Sequence, residues 1–416
     1  MNKMNGKTRR RSRILRIGIA AEAAGIGILL FFSANMQTGE ERETFSDSVS
    51  IGEGELGVLQ TEGQLEGELS SGLLLYGETA EAGRDYITWV DFNVTADAMR
   101  CALQYDLDTY GSENHVDWIV LLAYAGCRGG GSFNAKSLSY IRDLAERMKN
   151  SETTVEKLSN ELSYFDYYYE AYSAVLSGYV GEYEIERQQE DGSTVTERVY
   201  GVKVFSPIAK GFGYSDYDDF GASRSYGYRR PHLGHDMLGV IGTPIVAVES
   251  GYVEAIGWNR YGGWRIGIRS FDGKRYYYYA HLRQNYPYAE GLAEGSVVTA
   301  GDVIGYMGHT GYSTTENVNN IKIVHLHWGL QLIFDESQKE GNNEIWIDVY
   351  PLTRFLAKHT QAAAKVEGTK EWKRTTNIVD PAVEEYEGQT PKEMGTPARE
   401  DSLEGDAASE SEQINK

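Results

Sequence analysis

The most apolar stretch of the chain runs from Ile17 to Ala34, "IGIAAEAAGIGILLFFSA", with Glu22 as its single charge. About 18 such residues can just cross a hydrocarbon core of ~30 Å, so the run is predicted as a transmembrane helix, with a cleaved signal peptide as the alternative. Lys and Arg cluster between Lys3 and Arg16, which orients the first 16 residues inside and the remainder outside. From 35 to 85 the chain is rich in Gly, Glu, Ser and Thr, with little to bury, and reads as a flexible acidic stalk. Between 86 and 185 the period turns helical. Leu138, Ile141, Leu144, Ala145 and Met148 recur at three and four, "VDWIVLLAYAG" is apolar all round, and "FDYYYEAYSAVL" carries a stripe of aromatics at core-packing spacing.

A connecting hairpin is expected over 186–203, and from 204 to 359 short runs of β-branched and aromatic residues alternate with glycine-rich turns. Asp272-Gly273, between "WRIGIRS" and "RYYYYAHL", is a hairpin signal, because glycine supplies the positive φ of the turn. This region reads as an antiparallel β domain. The last segment, 360–416, is acidic and poor in large apolar residues, and is expected to be a disordered tail. The predicted fold class is therefore multidomain: an N-terminal transmembrane helix, a small all-α domain, then an all-β domain.

Charge narrows the partners. With 40 basic and 61 acidic residues the net charge is −21, which repels phosphate backbones and excludes a nucleic-acid partner. The expected location is the cell membrane, single-pass, with the β domain on the outer side. Cys101 and Cys127 are the only cysteines, too few for a disulfide framework, and their pairing is undecided by the sequence. The helical segment is a candidate surface for a protein partner.

Histidine is scarce, with 8 in 416 residues, yet four fall in "HLGHD" and "VHLHW". On a strand His325 and His327 share one face, their Cα atoms ~6.6 Å apart, and can share a metal or divide between metal and substrate. His232 and Asp236 would lie ~13 Å apart if extended, so the chain must bend between them, where Gly234 allows it. His235 should face away, as a bystander or a residue of the cleft rim. Two imidazoles and a carboxylate form a ligand set of catalytic zinc, with the fourth position open for water.

In order and chemistry, "HLGHD", "YAHL", "GHTGYS", "VHLHW" and the closing "WIDVYPLTRFL" resemble the LytM/lysostaphin-type zinc endopeptidases that cut peptidoglycan, over about 204–359. The resemblance implies an antiparallel β-roll and one Zn2+ per chain held by His232, Asp236 and His327. It implies that His281 and His325 are non-ligand histidines that position the attacking water and stabilise the oxyanion, with peptidoglycan as the partner. Membrane-anchored forms with a preceding helical segment resemble proteins of spore-forming Firmicutes. One departure stands out: ten residues, Thr315 to Val324, separate "GYST" from "HLHW", where the family has almost none. Its polar "ENVNN" has no apolar anchor, so the loop is expected to be mobile and to gate the cleft. The alternative reading is a non-catalytic zinc-binding scaffold or adaptor of the same fold.

Overall fold

The computed structural model describes residues 87–188, 191–225, 229–339 and 343–389. Five helices come first: α1 (Ala96–Thr109), α2 (Trp118–Gly129), α3 (Ala135–Lys149), α4 (Val155–Glu161) and α5 (Phe165–Leu176). Helix α2 is buried from Trp118 through Gly126, as its all-round apolarity demands, and packs against α1, α3 and α5. Asp117 caps its start by accepting from the Ile119 backbone N–H at 2.6 Å, and Gly130, left-handed at φ 60°, ends it. In α3 the predicted stripe faces inward, with Ile141, Leu144 and Ala145 fully buried. The aromatics of α5 are core, with Phe165, Tyr168 and Tyr172 buried.

The strands follow: β1 (Val180–Gln188), β2 (Thr194–Val202), β3 (Ser223–Ser225), β4 (Arg229–Pro231), β5 (His235–Leu238), β6 (Pro244–Val246), β7 (Gly251–Asn259), β8 (Gly263–Ser270), β9 (Arg275–Ala280), β10 (Val297–Val298), β11 (Val303–Tyr306), β12 (His325–Leu332) and β13 (Ile345–Ile347). The main sheet has seven strands, ordered β10-β7-β8-β9-β12-β13, with β5 also paired to β12, and every pairing in it is antiparallel. The β8–β9 hairpin turns at Asp272-Gly273, where Gly273 adopts φ 74° and its N–H donates to the Ser270 carbonyl at 2.9 Å. Alternation along β9 buries Tyr277 and Tyr279 and leaves Tyr276 and Tyr278 on the opposite, cleft-facing side. Beyond β13 lie α6 (Tyr350–Leu356), β14 (Ala363–Lys365), β15 (Trp372–Arg374), β16 (Asn377–Val379) and α7 (Pro381–Gln389).

Three expectations are corrected. Among the described residues no helix is long and apolar enough to cross a membrane: the most apolar, α2, has 12 residues against the ~20 required. The transmembrane helix is therefore withdrawn from the fold class. The segment 17–34, on which it was placed, lies outside the described residues, as do the basic segment and the stalk. The helices are also not a separate all-α domain, because their buried side chains form one continuous core with those of the sheet. Trp118 of α2 stacks on Phe355 of α6 at 5.9 Å. Arg275, at the start of β9, donates to the Ala174 carbonyl and the Ser177 hydroxyl, each at 3.0 Å, while pairing with the carboxylate of Glu249 at 2.8 and 3.0 Å.

The third correction concerns the acidic tail. Residues 363–389 are ordered: β14 pairs with β15, and β16 adds to β1 with Ile185 opposite Ile378. A few widely spaced anchors suffice, and they leave no periodic signal. Ile378 is buried, Asp380 meets Lys203 at 2.9 Å and Ser250 at 2.7 Å, and buried Glu371 accepts from the hydroxyls of Tyr286 and Tyr306. Residues 390–416 lie outside the described residues. Cys101 and Cys127 are both free thiols.

Candidate active site

Register brings the chemistry together. In the β5–β12 pair Asp236 sits directly opposite His327, and His325 shares the face of His327 two residues earlier. His232 lies just past the end of β4, and the chain bends through Leu233 and Gly234 into β5. Gly234 is required there for close approach: a Cβ would lie 2.5 Å from Nε2 of His327, so the ring of His327 packs against its bare α-carbon.

Three atoms converge at this point. Nε2 of His232 lies 3.1 Å from Oδ1 of Asp236 and 3.0 Å from Nδ1 of His327, and that Nδ1 lies 2.9 Å from the same Oδ1. Tetrahedral zinc with bonds of ~2.0–2.1 Å needs ligand atoms ~3.3 Å apart, so this nearly equilateral set fits the edge lengths of a zinc site. The tautomer agrees. Nδ1 of His232 is 2.9 Å from Oδ1 of Asp219, which as a carboxylate accepts, so the ring proton sits on Nδ1 and the Nε2 lone pair faces the trio. Burial raises the Asp236 carboxyl, but the adjoining imidazoles of His232 and His327 outweigh it and hold the group well below the ordinary carboxylate range. Burial pushes the imidazole of His327 down, which keeps it neutral and free to donate a lone pair.

Asp219 and Arg224 were not singled out by the sequence. Arg224, on β3, bonds Asp219 and reaches Oδ2 of Asp236 at 3.0 Å, leaving Oδ1 as the oxygen that faces the histidines. The run "SDYDDF" supplies both backing acids, Asp219 behind His232 and Asp216 behind His235. The clustering of acids upstream of "HLGHD" was the available signal. His235 points away from the trio, as expected of a bystander, but is buried rather than on the rim, with Nε2 3.1 Å from Asp216.

His281 and His325 flank the trio without joining it. Their ring centroids are 4.7 Å apart, and His281 lies 5.9 Å from His327. His325 Nε2 is 3.6 Å from Asp236 Oδ1. Each has Nδ1 fixed by a backbone carbonyl at 2.9 Å, Thr310 for His281 and Ile323 for His325. A carbonyl only accepts, so both rings carry their proton on Nδ1 and present an unprotonated Nε2. Burial pushes His281 well below the usual imidazole range, reinforced by His325 and His327. Its backbone is left-handed at φ 61°, a conformation the end of β9 adopts to turn the ring into the cleft.

The cleft has a volume of about 970 Å³, and its floor is the outer face of the sheet, with Tyr276, Tyr278 and Trp346 upon it. The inserted loop forms one wall through Ile321, Lys322 and Ile323. Contrary to expectation it is tied down, by asparagines rather than apolar groups. Asn317 Oδ1 accepts from the indole of Trp264 at 2.9 Å and the Asn285 N–H at 2.8 Å, and Asn319 and Asn320 make further bonds to Gln284 and Tyr312. Sequence reasoning took polarity for looseness, while Trp264 and Asn285 lay far away in the chain.

The model of Peptidase family M23 matches residues 230–340, which hold the trio and both flanking histidines. This part of the chain belongs to family M23. The chain is 38% identical over 146 residues to L-Ala--D-Glu endopeptidase of Bacillus subtilis, covering 35% of this chain and 41% of that protein. It is 35% identical over 116 residues to lysostaphin of Staphylococcus simulans, covering 28% of this chain and 21% of that protein. Among solved structures, the lysostaphin catalytic domain from Staphylococcus simulans matches with 30% identity and a TM-score of 0.27, over 34% of this chain and 92% of that chain. The chain thus spans about two fifths or less of the length of the curated relatives it matches.

Proposed function

We propose that the M23 domain is a zinc-dependent endopeptidase that hydrolyses peptide bonds in the stem or cross-bridge peptides of peptidoglycan, working on the wall side of the cell membrane. The observation that carries the reading is the convergence of His232 Nε2, Asp236 Oδ1 and His327 Nδ1, flanked by two histidines with free Nε2 atoms. One Zn2+ held by these three residues would lower the pKa of a water and polarise the scissile carbonyl. The name of the Bacillus subtilis relative, L-Ala--D-Glu endopeptidase, supports peptide-bond hydrolysis.

The chain's own residues supply the proton path. Nε2 of His281 or His325 accepts a proton from the attacking water as its oxygen bonds to the carbonyl carbon. The resulting imidazolium holds the negative oxygen and returns the proton to the amide nitrogen as the C–N bond breaks. His281 suits the accepting role because its environment favours the neutral ring. Asp219 keeps His232 in the tautomer that ligation requires.

The test is digestion of purified peptidoglycan by the zinc-loaded full chain, with new termini identified by mass spectrometry and activity removed by a chelator. Bound zinc without any new terminus would overturn the reading and leave the scaffold of the same fold.

A further inference from the structure

The cleft beside the trio is more positive than a chain of net charge −21 leads one to expect. Most of its charges answer one another. Arg224 is held between Asp219 and Asp236, and Glu254 is paired with Lys339 and with Arg269 at 3.3 Å. Glu344, beside the far end of β12, accepts from the Trp346 indole at 2.7 Å. Arg230 and Arg265 differ: among the described residues neither meets a carboxylate, although both are half-buried in the cleft wall. Arg230 is packed over the rings of Tyr261 and Tyr312, at 5.3 and 5.2 Å from their centroids, and donates to the Tyr312 hydroxyl. Tyr312 in turn stacks on His281 at 6.1 Å. Arg265 belongs to β8, separated from β12 by β9 alone, and two strand spacings amount to about 10 Å.

A half-buried guanidinium held by aromatics and left without a counter-ion is a ready site for a planar anion. We propose that Arg230 and Arg265 recognise a free carboxylate on the substrate, within about three residues of the scissile bond at ~3.3 Å per extended residue. The preferred substrate is thus an acidic peptide rather than a neutral cross-bridge. This inference rests on the peptidase reading of the cleft, but it can fail or hold independently of it.

The test uses two series of synthetic peptides, identical except that one acidic residue carries either a free carboxylate or its amide, at successive positions around the bond. Affinity is measured by calorimetry on the zinc-loaded full chain with His281→Ala, which slows turnover, and cleavage is read separately on the unmodified protein. At its best position the carboxylate form is expected to bind at least about tenfold tighter, the scale of a charge-assisted hydrogen bond. Arg265→Gln and Arg230→Gln should each shrink that ratio towards unity, and Arg265→Lys should keep part of it, with thermal unfolding confirming that each variant folds. Equal affinity for the two forms at every position, or an unchanged ratio in both Gln variants, overturns the proposal. Absence of cleavage with a retained ratio would sink the peptidase reading instead.

Discussion

Asp219 offers the sharpest test of how the site is held. Its Oδ1 accepts from Nδ1 of His232, and its other oxygen bonds Arg224, with both His232 and Asp219 largely shielded from solvent. Replacing it with Ala removes the group that fixes which nitrogen of His232 bears the proton. The other tautomer would aim an N–H at Nδ1 of His327 and Oδ1 of Asp236, where a lone pair is needed. Losing such an outer partner typically costs 10- to 100-fold in metal affinity, about 1.4–2.7 kcal/mol. Asp219→Asn keeps an acceptor oxygen while losing the charge, so its loss should be smaller. Zinc affinity measured by competition with a chromophoric chelator reads this directly, without reference to turnover. If Asp219→Ala holds zinc within twofold of the unmodified protein, the tautomer argument is wrong.

Gly234→Ala should lose zinc while remaining folded, since the added Cβ falls 2.5 Å from the ring of His327; metal analysis of the purified variant decides it. His281→Ala and His325→Ala should each retain zinc but lower turnover at least ~100-fold, the lower range for general acid–base help, checked by metal content beside steady-state rates. Burial lowers the folded-state pKa of His281, His327 and His359, so the unfolded chain binds more protons below its imidazole pKa of ~6.5. The zinc-free protein should therefore lose stability as pH falls from about 7 through that value, and a calorimetric Tm flat between pH 7.5 and 5 would contradict this.

Much of the fold was legible because periodic signals are local. The stripe of α3, the all-round apolarity of α2 and the Asp272-Gly273 turn each report on neighbours within a few residues. A forced bend between His232 and Asp236 and the shared face of His325 and His327 were also readable, but the choice of His327 over His325 as the third member came only from the family resemblance. What escaped was long-range and polar. Asp219 and Arg224 act through single ion pairs, Asn317 through bonds to Trp264 and Asn285, and Ile378 and Asp380 through isolated anchors on β1 and β7 neighbours. None of these contacts repeats along the chain, so none leaves a pattern. The independent helical domain failed for a related reason. A stripe shows that a face is buried, but not which surface covers it.

The bonds from Arg275 to Ala174 and Ser177 bear on where this chain can be cut. A fragment starting at residue 204 would keep every cleft histidine, yet it would strip that guanidinium of two acceptors and uncover the side of Phe355 on which Trp118 lies. A buried donor left unmade costs about 1–3 kcal/mol, a large fraction of the 5–15 kcal/mol that holds a typical domain folded. The isolated catalytic half should then aggregate or need detergent-like additives, whereas a piece that begins ahead of residue 87 carries its own cover. For anyone preparing recombinant material, the scissors belong before the first helix.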